Sequence, residues 1–430
     1  MPGIDLRDLQ LQDIVTLLVA EGEPAFRATQ LCQWVYKRQA TSLQQMTDLP
    51  EALRRRLEER LYVSTLTLVR QQHSADGTEK FLFRLEDGNQ IETVLIPADD
   101  KRTICISTQV GCAIGCRFCL TAQGGLVRSL RPAEIVSQVL YFQESAHTPT
   151  RAFTNIVFMG MGEPLDNLQG TVQALRILTA DWGLGISPRR ITVSTSGLVR
   201  RLEAFGRENL KVNLAVSLNA TTDAVRTQIM PINKAYPIAT LLAACRAFPL
   251  ALRQRITFEY VLLRDLNDTL DDAKRLVKLM HGLRCKINLL PFNEIPGAPY
   301  RRPSDEAVQQ FQQYLLQHGI SAFVRQSRGR DISAACGQLQ FEERVTKGPD
   351  GPKSGHTDDP ISTPTPRTVP IRLSRQRLTD QPGQATMPSA LTATGEGGAL
   401  SCPPPPTQWR GADTGGGTAT PAAARRKGGQ

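Results

Sequence analysis

From Thr103 onward, short apolar runs alternate with amphipathic segments, and no other feature of this chain restricts its fold as strongly. Strands are predicted at Thr103 to Ser107, Asn155 to Met159, Arg190 to Ser194, Val212 to Ser217, Ile256 to Leu262, Lys286 to Pro291 and Ala322 to Arg325. Helices are predicted between most of them, at Pro132 to Glu144, Leu168 to Thr179, Leu198 to Phe205, Ala239 to Ala247, Asp271 to His281 and Ser304 to His318. A strand followed by a helix and another strand returns right-handed to the same sheet, so the repeat predicts parallel strands with helices outside. The expected class is α/β, an incomplete, partial TIM-like β/α barrel over residues 101–345. In such a fold the chemistry gathers at the carboxyl ends of the strands.

The flanks read differently. Residues 1–60 carry apolar positions at helical spacing, among them Leu6, Leu9, Ile14, Leu17 and Leu18, and predict a small helical domain. Residues 61–100 predict a short antiparallel β meander. Its strands, Thr65 to Val69, Glu79 to Leu85 and Gln90 to Ile96, are divided by Asp76-Gly77 and Asp87-Gly88-Asn89. After about residue 346 the composition changes: the last 84 residues hold 13 Pro and 13 Gly, too little apolar material to offset the entropy of ordering, so residues 346–430 are expected to be a disordered tail. Ten basic and six acidic residues in that stretch take +4 of the net charge of +10, leaving +6 on the rest. The balance favours an anionic partner such as nucleic acid.

The apolar run nearest the start, Ile14 to Ala20, is far shorter than the roughly 20 residues a spanning helix needs. Acidic residues around it break a signal-peptide pattern, and a cytosolic protein is expected. Of nine cysteines, Cys105, Cys112, Cys116 and Cys119 fall within 15 residues. In such a chain this clustering points to metal or redox chemistry rather than a disulfide framework. Cys32, Cys245 and Cys285 read as small core residues, and Cys402 lies in the tail.

The sharpest motif is Cys112-Ala-Ile-Gly-Cys116-Arg-Phe-Cys119, directly after the first barrel strand. Three thiolates on one loop can bind three irons of a cubane and leave the fourth iron open, whereas structural zinc wants four ligands. The alternative is a zinc site that recruits Cys105. A second motif, Gly160-Met161-Gly162-Glu163-Pro164, follows the second barrel strand. Its glycines allow close backbone approach and its carboxylate can accept from an ammonium group.

A C-x3-C-x2-C triplet after the first strand of an incomplete barrel resembles the radical S-adenosylmethionine (radical SAM) enzymes. Five motifs in order narrow the resemblance: Cys105 to Cys112, Phe158 to Pro164, Val193 to Gly197, Met230 to Lys234 and Asp331 to Leu339. Together they are similar to the RlmN/Cfr family of RNA adenine methyltransferases, most closely its dual-specificity RlmN members, over about residues 4–345. The resemblance implies one 4Fe-4S cluster on Cys112, Cys116 and Cys119. It implies SAM bound by Gly162, Glu163, Ser194, Ser217, Leu218, Asn219 and Asn293; many relatives carry His where this chain has Asn219.

The implied activity is methylation of adenine C2 in 23S rRNA, at the peptidyl-transferase centre, and in the anticodon loop of certain tRNAs. Adenine C2 has no nucleophilic lone pair, so direct attack on the SAM methyl group is unavailable and a radical route bypasses that problem. In the family scheme one SAM methylates Cys336, and a second yields a 5′-deoxyadenosyl radical that takes hydrogen from the S-methyl group. The methylene radical adds to C2, and Cys105 then attacks Cys336, leaving a transient disulfide. Glu92 is the matching proton acceptor, a carboxylate among strand-forming residues whose pKa burial would raise; the alternative is an outward-facing Glu on an edge strand. Implied partners are rRNA, tRNA, an electron donor such as flavodoxin or ferredoxin and a thiol reductant, around a monomer. Arg189-Arg190, Arg200-Arg201 and Arg301-Arg302 are candidate phosphate contacts or simply solvated faces. Two other readings stay open, a Cfr-like C8 methyltransferase with the same cysteines and a non-catalytic, zinc-stabilised RNA-binding protein.

Overall fold

The computed structural model describes residues 3–98, 101–144 and 153–340. Its centre is one sheet of ten strands in which parallel and antiparallel parts are continuous. Three antiparallel strands come first, β3 (Thr67–His73), β4 (Glu79–Arg84) and β5 (Gln90–Ala98). Strand β6 (Lys101–Cys105) pairs antiparallel with β5 on one side and parallel with β9 (Asn155–Phe158) on the other. From there the sheet stays parallel through β10 (Ile191–Thr195), β11 (Asn213–Ser217), β12 (Ile256–Leu262), β13 (Cys285–Pro291) and β14 (Ala322–Val324). The incomplete β/α barrel is therefore present, and the meander is an extension of its sheet.

Helices α5 (Pro132–Glu144), α6 (Leu168–Thr179), α7 (Val199–Arg207), α9 (Ile238–Ala247), α10 (Leu270–Met280) and α11 (Asp305–Gln317) connect the strands, close to where strand-helix periodicity puts them. Thr269 and Ser304 cap α10 and α11 through side-chain oxygens, which fixes the start of each helix. The core lies between the sheet and its helices, on the face of β12 where Ile256, Phe258, Tyr260 and Leu262 are fully buried and Tyr260 packs on Phe311 of α11. The antiparallel part is bonded to the barrel by aromatic packing: Phe81 meets Phe142 edge-on at 4.9 Å and Phe83 meets Tyr141 at 4.8 Å.

The N-terminal residues form helices α1 (Leu11–Ala20), α2 (Phe26–Tyr36) and α3 (Glu51–Glu58), with Ile4–Asp5 (β1) pairing parallel to Leu61–Tyr62 (β2). Buried Arg7 joins them to the barrel, donating to the Ser64 carbonyl at 2.6 Å and to Ser137 Oγ at 3.0 Å. The described residues fall within one compact unit, Met1–Pro349. The expected disordered tail lies outside the described residues. No described helix is long and apolar enough to cross a membrane.

Two differences bear on the site. The first barrel strand ends at Cys105 rather than Ser107 because Ser107 leaves the ladder, its backbone N–H donating instead to Gln138 Oε1 at 2.8 Å. An unpredicted hairpin, β7 (Gln109–Gly111) and β8 (Leu126–Ser129), frames the cysteine triplet, which is followed by the single turn α4 (Leu120–Gln123). Gly111 makes the hairpin possible: φ is +77°, and a Cβ there would lie 1.9 Å from the Gly125 carbonyl oxygen. A seven-residue helix, α8 (Asp223–Ile229), was also not expected.

Candidate active site

At the carboxyl end of the parallel strands lies a cavity of about 190 Å³. Cys112, Cys116 and Cys119 form one side of it, and Gly160, Gly162, Glu163, Ser194, Ser217, Asn219 and Asn293 line the others. These come from the loop after β6 and the ends of β9, β10, β11 and β13, the places a β/α barrel reserves for chemistry. Cys336 completes the wall from a segment far along the chain.

The triplet loop is held by its backbone. Cys112 N–H donates to the Gly125 carbonyl at 2.7 Å, Arg117 N–H to Ile229 at 2.9 Å and Cys119 N–H to Cys116 at 3.2 Å. Burial pushes the Cys112 thiol up to about 12 and that of Cys116 well above its ordinary value, and the neighbouring triplet thiols push in the same direction. Among the described residues no three Cys, His, Asp or Glu side chains converge on one ion position.

Glu163 faces the triplet from the end of β9. One carboxylate oxygen accepts from Ser196 N–H at 2.7 Å and the other from Leu165 N–H at 3.0 Å. Burial raises its pKa, and those hydrogen bonds oppose the rise. Gly162 sets this turn: its φ is +99°, and a Cβ would lie 2.5 Å from Gln109 Cβ and 2.7 Å from Gln109 N. One polar atom on the wall, Asn293 Oδ1, is buried without a protein partner, while the Ser196 hydroxyl leans on Glu163. The unpaired oxygen suits an amino-acid-like ligand, because buried polar atoms are otherwise nearly always paired.

Asn219 has φ +58° and its side chain is occupied, Oδ1 accepting from Val261 N–H at 2.9 Å and Nδ2 donating to Met230 Sδ at 3.2 Å. Leu218 is fully buried and does not line the cavity; its carbonyl accepts from Arg226 Nε at 3.0 Å.

Cys336 sits on a strap, residues 329–340, fastened on several sides. Leu120 N–H donates to the Gly337 carbonyl at 2.8 Å, Thr121 Oγ1 to Leu339 at 2.7 Å and Asn293 Nδ2 to Cys336 at 3.4 Å. Asp331 accepts from Ser74 Oγ at 2.6 Å and Ala75 N–H at 3.1 Å, so the strap is clasped to the β3–β4 turn. Cys336 remains exposed through the cavity mouth. Surrounding protein raises its thiol pKa, followed by the Glu259 carboxylate. Cys105, buried at the end of β6, is raised by burial and then by the charge of Cys336. It does not line the cavity that the triplet lines, which gives the zinc alternative no support.

Glu92 lies outside the cavity wall on β5, a strand paired on both sides, so it is not an outward-facing edge residue. It is buried, forms an ion pair with Lys80 Nζ at 2.9 Å, and accepts from Gln340 N–H of the strap at 2.9 Å. The candidate RNA contacts Arg189, Arg190, Arg200, Arg201 and Arg301 are all exposed.

Known proteins decide the relationship. A profile of the ribosomal RNA large subunit methyltransferase N-terminal domain matches residues 4–63, and the radical SAM superfamily matches residues 106–280. The dual-specificity RNA methyltransferase RlmN of Geobacter sulfurreducens is 54% identical over 337 residues, covering 78% of this chain and 92% of that protein. That of Syntrophotalea carbinolica is 51% identical over 344 residues, covering 80% and 91%. The chain belongs to the RlmN family. A crystal structure of a radical SAM methyltransferase from Sphaerobacter thermophilus superposes with a TM-score of 0.74 at 47% identity, over 78% of this chain and 99% of that one. An RlmN protein is a radical SAM RNA methyltransferase whose cofactors are a 4Fe-4S cluster and SAM, and the zinc-stabilised binding protein is set aside.

The residues present fit both groups: a thiol triplet on one wall, and on the others the Glu163 carboxylate and an unpaired Asn293 oxygen. Three neighbours of this RlmN site escape a reading by motif. Lys80 shares a sheet face with Glu92, since Leu82 pairs with Glu92 and Lys80 with Val94, a signal readable only once the register is known. Glu259 lines the cavity with one oxygen accepting from Asn288 Nδ2 at 3.0 Å, and burial raises its pKa to about 7. Arg226, fully buried on α8, had no signal beyond being an Arg in an otherwise ordinary helix.

Proposed function

We propose that this enzyme methylates C2 of adenine in 23S rRNA and in the anticodon loop of certain tRNAs, with Cys336 as methyl carrier and Cys105 as resolving thiol. The observation that carries the proposal is Cys336 on the wall of the cavity that the triplet also lines, with Cys105 buried at the end of β6 and close enough to feel the charge of Cys336. Cys112, Cys116 and Cys119 would hold the cluster; Gly162, Glu163, Ser194, Ser217, Asn293 and the backbone around Leu218 and Asn219 would hold SAM. Bound together, these groups supply a methyl group and a hydrogen-abstracting radical. Cys336 presents its sulfur at the cavity mouth, where a splayed-out base can reach it.

Once carbon is bonded to adenine C2, Glu92 accepts the C2 proton, positioned by Lys80 and by the strap's Gln340 N–H. Cys105, as thiolate, attacks the Cys336 sulfur; the carbon–sulfur bond breaks with its electron pair left on carbon, which takes a proton to become the methyl group, so the RNA leaves methylated and a Cys105–Cys336 disulfide remains. An external thiol returns two electrons to it. The helical residues 1–60 serve as an RNA-binding accessory to the barrel of residues 101–345, extended by the β strands of residues 61–100, in a cytoplasmic monomer reduced by flavodoxin or ferredoxin.

The test is nucleoside mass spectrometry of 23S rRNA and tRNA treated with the reduced, iron-loaded enzyme. 2-Methyladenosine in both RNAs is the expected result. 8-Methyladenosine would move the activity to C8, and unmodified adenine would overturn the proposal.

A further inference from the structure

Arg226 is the largest fully buried side chain among the described residues. Its guanidinium donates to five acceptors, all neutral: the carbonyls of Ser196 (2.8 Å), Ser217 (3.1 Å), Leu218 (3.0 Å) and Tyr236 (3.2 Å), and Asn233 Oδ1 (3.0 Å). Among the described residues it forms no ion pair with a carboxylate. A buried charge of this kind is costly unless an opposite charge compensates it.

The compensating charge is nearby. Ser196 and Ser217 line the same cavity as Cys116, and the backbone after Cys116 is hydrogen-bonded to Ile229, the last residue of the helix that carries Arg226. As a cluster ligand Cys116 would be a thiolate, and it comes first among the groups that favour the charged guanidinium, ahead of Asp223, whose own oxygen is engaged by Asn233 Nδ2 and Ile238 N–H.

We infer that Arg226 is an electrostatic positioning residue for the iron–sulfur cluster, a fixed cation behind Cys116 that stabilises the cluster's reduced state. Three thiolates already make the cluster anionic, and reduction adds one more negative charge. A permanent buried cation favours the more negative state, and low-dielectric surroundings enlarge the effect. Three of these hydrogen bonds, to Ser196, Ser217 and Leu218, fix the ends of β10 and β11, so the guanidinium holds the cavity walls with the charge that tunes the cluster. The inference rests on the triplet as the cluster's ligands, and iron content is measured in every variant to test that separately.

The experiment is a spectroelectrochemical titration of reconstituted full-length protein without RNA, comparing wild type, Arg226→Gln, Arg226→Lys and Asn233→Ala. Arg226→Gln, at about four irons per chain, is expected to lower the ratio of reduced to oxidised cluster at least about tenfold at the wild-type midpoint, 59 mV for one electron. Arg226→Lys keeps the charge and Asn233→Ala removes one hydrogen-bond partner without touching it, so both should stay close to wild type. If Arg226→Gln loses iron or unfolds while Arg226→Lys retains both, the charge is the requirement and the inference stands. An unshifted Arg226→Gln, an equal shift in Asn233→Ala, or equal iron loss in Gln and Lys variants overturns it and leaves Arg226 a structural clamp. Iron retained after Cys116→Ala would instead undermine the ligand assignment.

Discussion

Replacing Lys80 by Met should be among the most damaging single changes outside the cavity. The Lys80 and Glu92 side chains are 7% and 3% exposed and their charges lie 2.9 Å apart. Lys80 Nζ also donates to the Ser333 carbonyl at 3.3 Å. Removing one partner of a buried pair costs about 3–5 kcal/mol because the other charge stays buried. Set against a total stability of about 5–15 kcal/mol, that is enough to move a urea midpoint far to the left. Glu92→Gln in the Lys80→Met background removes the stranded charge and should restore a large part of the loss, giving a coupling of about 2–3 kcal/mol in a double-mutant cycle. Urea denaturation of the four proteins under anaerobic conditions measures it. A Lys80→Met protein within about 1 kcal/mol of wild type, or two changes that simply add, would show that Glu92 does not depend on Lys80. Nucleoside analysis separates the roles: the double variant is stable and inactive if Glu92 accepts the C2 proton.

Gly162→Ala forces a Cβ into Gln109 at a φ of +99°, and overpacking of about 1–3 kcal/mol should weaken SAM binding by about 5- to 150-fold, read by equilibrium dialysis; unchanged affinity would mean the turn is not part of the SAM site. Glu259, raised to about 7 by burial from an ordinary 4.5, keeps its proton in the folded chain while the unfolded chain loses its own, so stability falls as pH climbs from 4.5 through 7 and then levels. The loss is on the order of 3 kcal/mol; Glu259→Gln should flatten it and be the more stable protein at pH 8 in thermal melts, and parallel curves would refute the assignment. Cys336→Ala should form neither methylated protein nor methylated RNA, while Cys105→Ala should accumulate a protein–RNA adduct through Cys336 that survives denaturing electrophoresis. Normal turnover by Cys105→Ala would end the methyl-carrier scheme here.

The parallel strands could be read from the chain because each is a short apolar run between helices with strong periodicity; Ile256–Leu262 has the ends its sequence suggests. The triplet and the Gly160–Pro164 turn were legible because chemistry dictates their spacing. The β7–β8 hairpin was not, since strands of three and four residues carry no period and depend on Gly111 meeting Gly125. Nor were the partners of Glu92 and the surroundings of Arg226, which are made by distant segments: strand register delivers Lys80, and strand-end carbonyls deliver the cage around the guanidinium. Ser217 and Leu218 differ in what they offer the cavity. Alternation points the Ser217 side chain into it and that of Leu218 into the core, so at Leu218 the motif concerns the backbone.

The strap's fastenings join residues far apart along the chain. Thr121 and Leu339 are 218 positions apart, Glu92 and Gln340 248, and Ser74 and Asp331 257. Closing loops of that length is among the slowest steps of folding and contributes only after the sheet exists to receive it. On a translating ribosome the thiol triplet and most of the barrel strands emerge before residues 329–340, so the segment that carries Cys336 is the last wall of the cavity to be made and docked, and its few fastenings can open locally without unfolding the sheet.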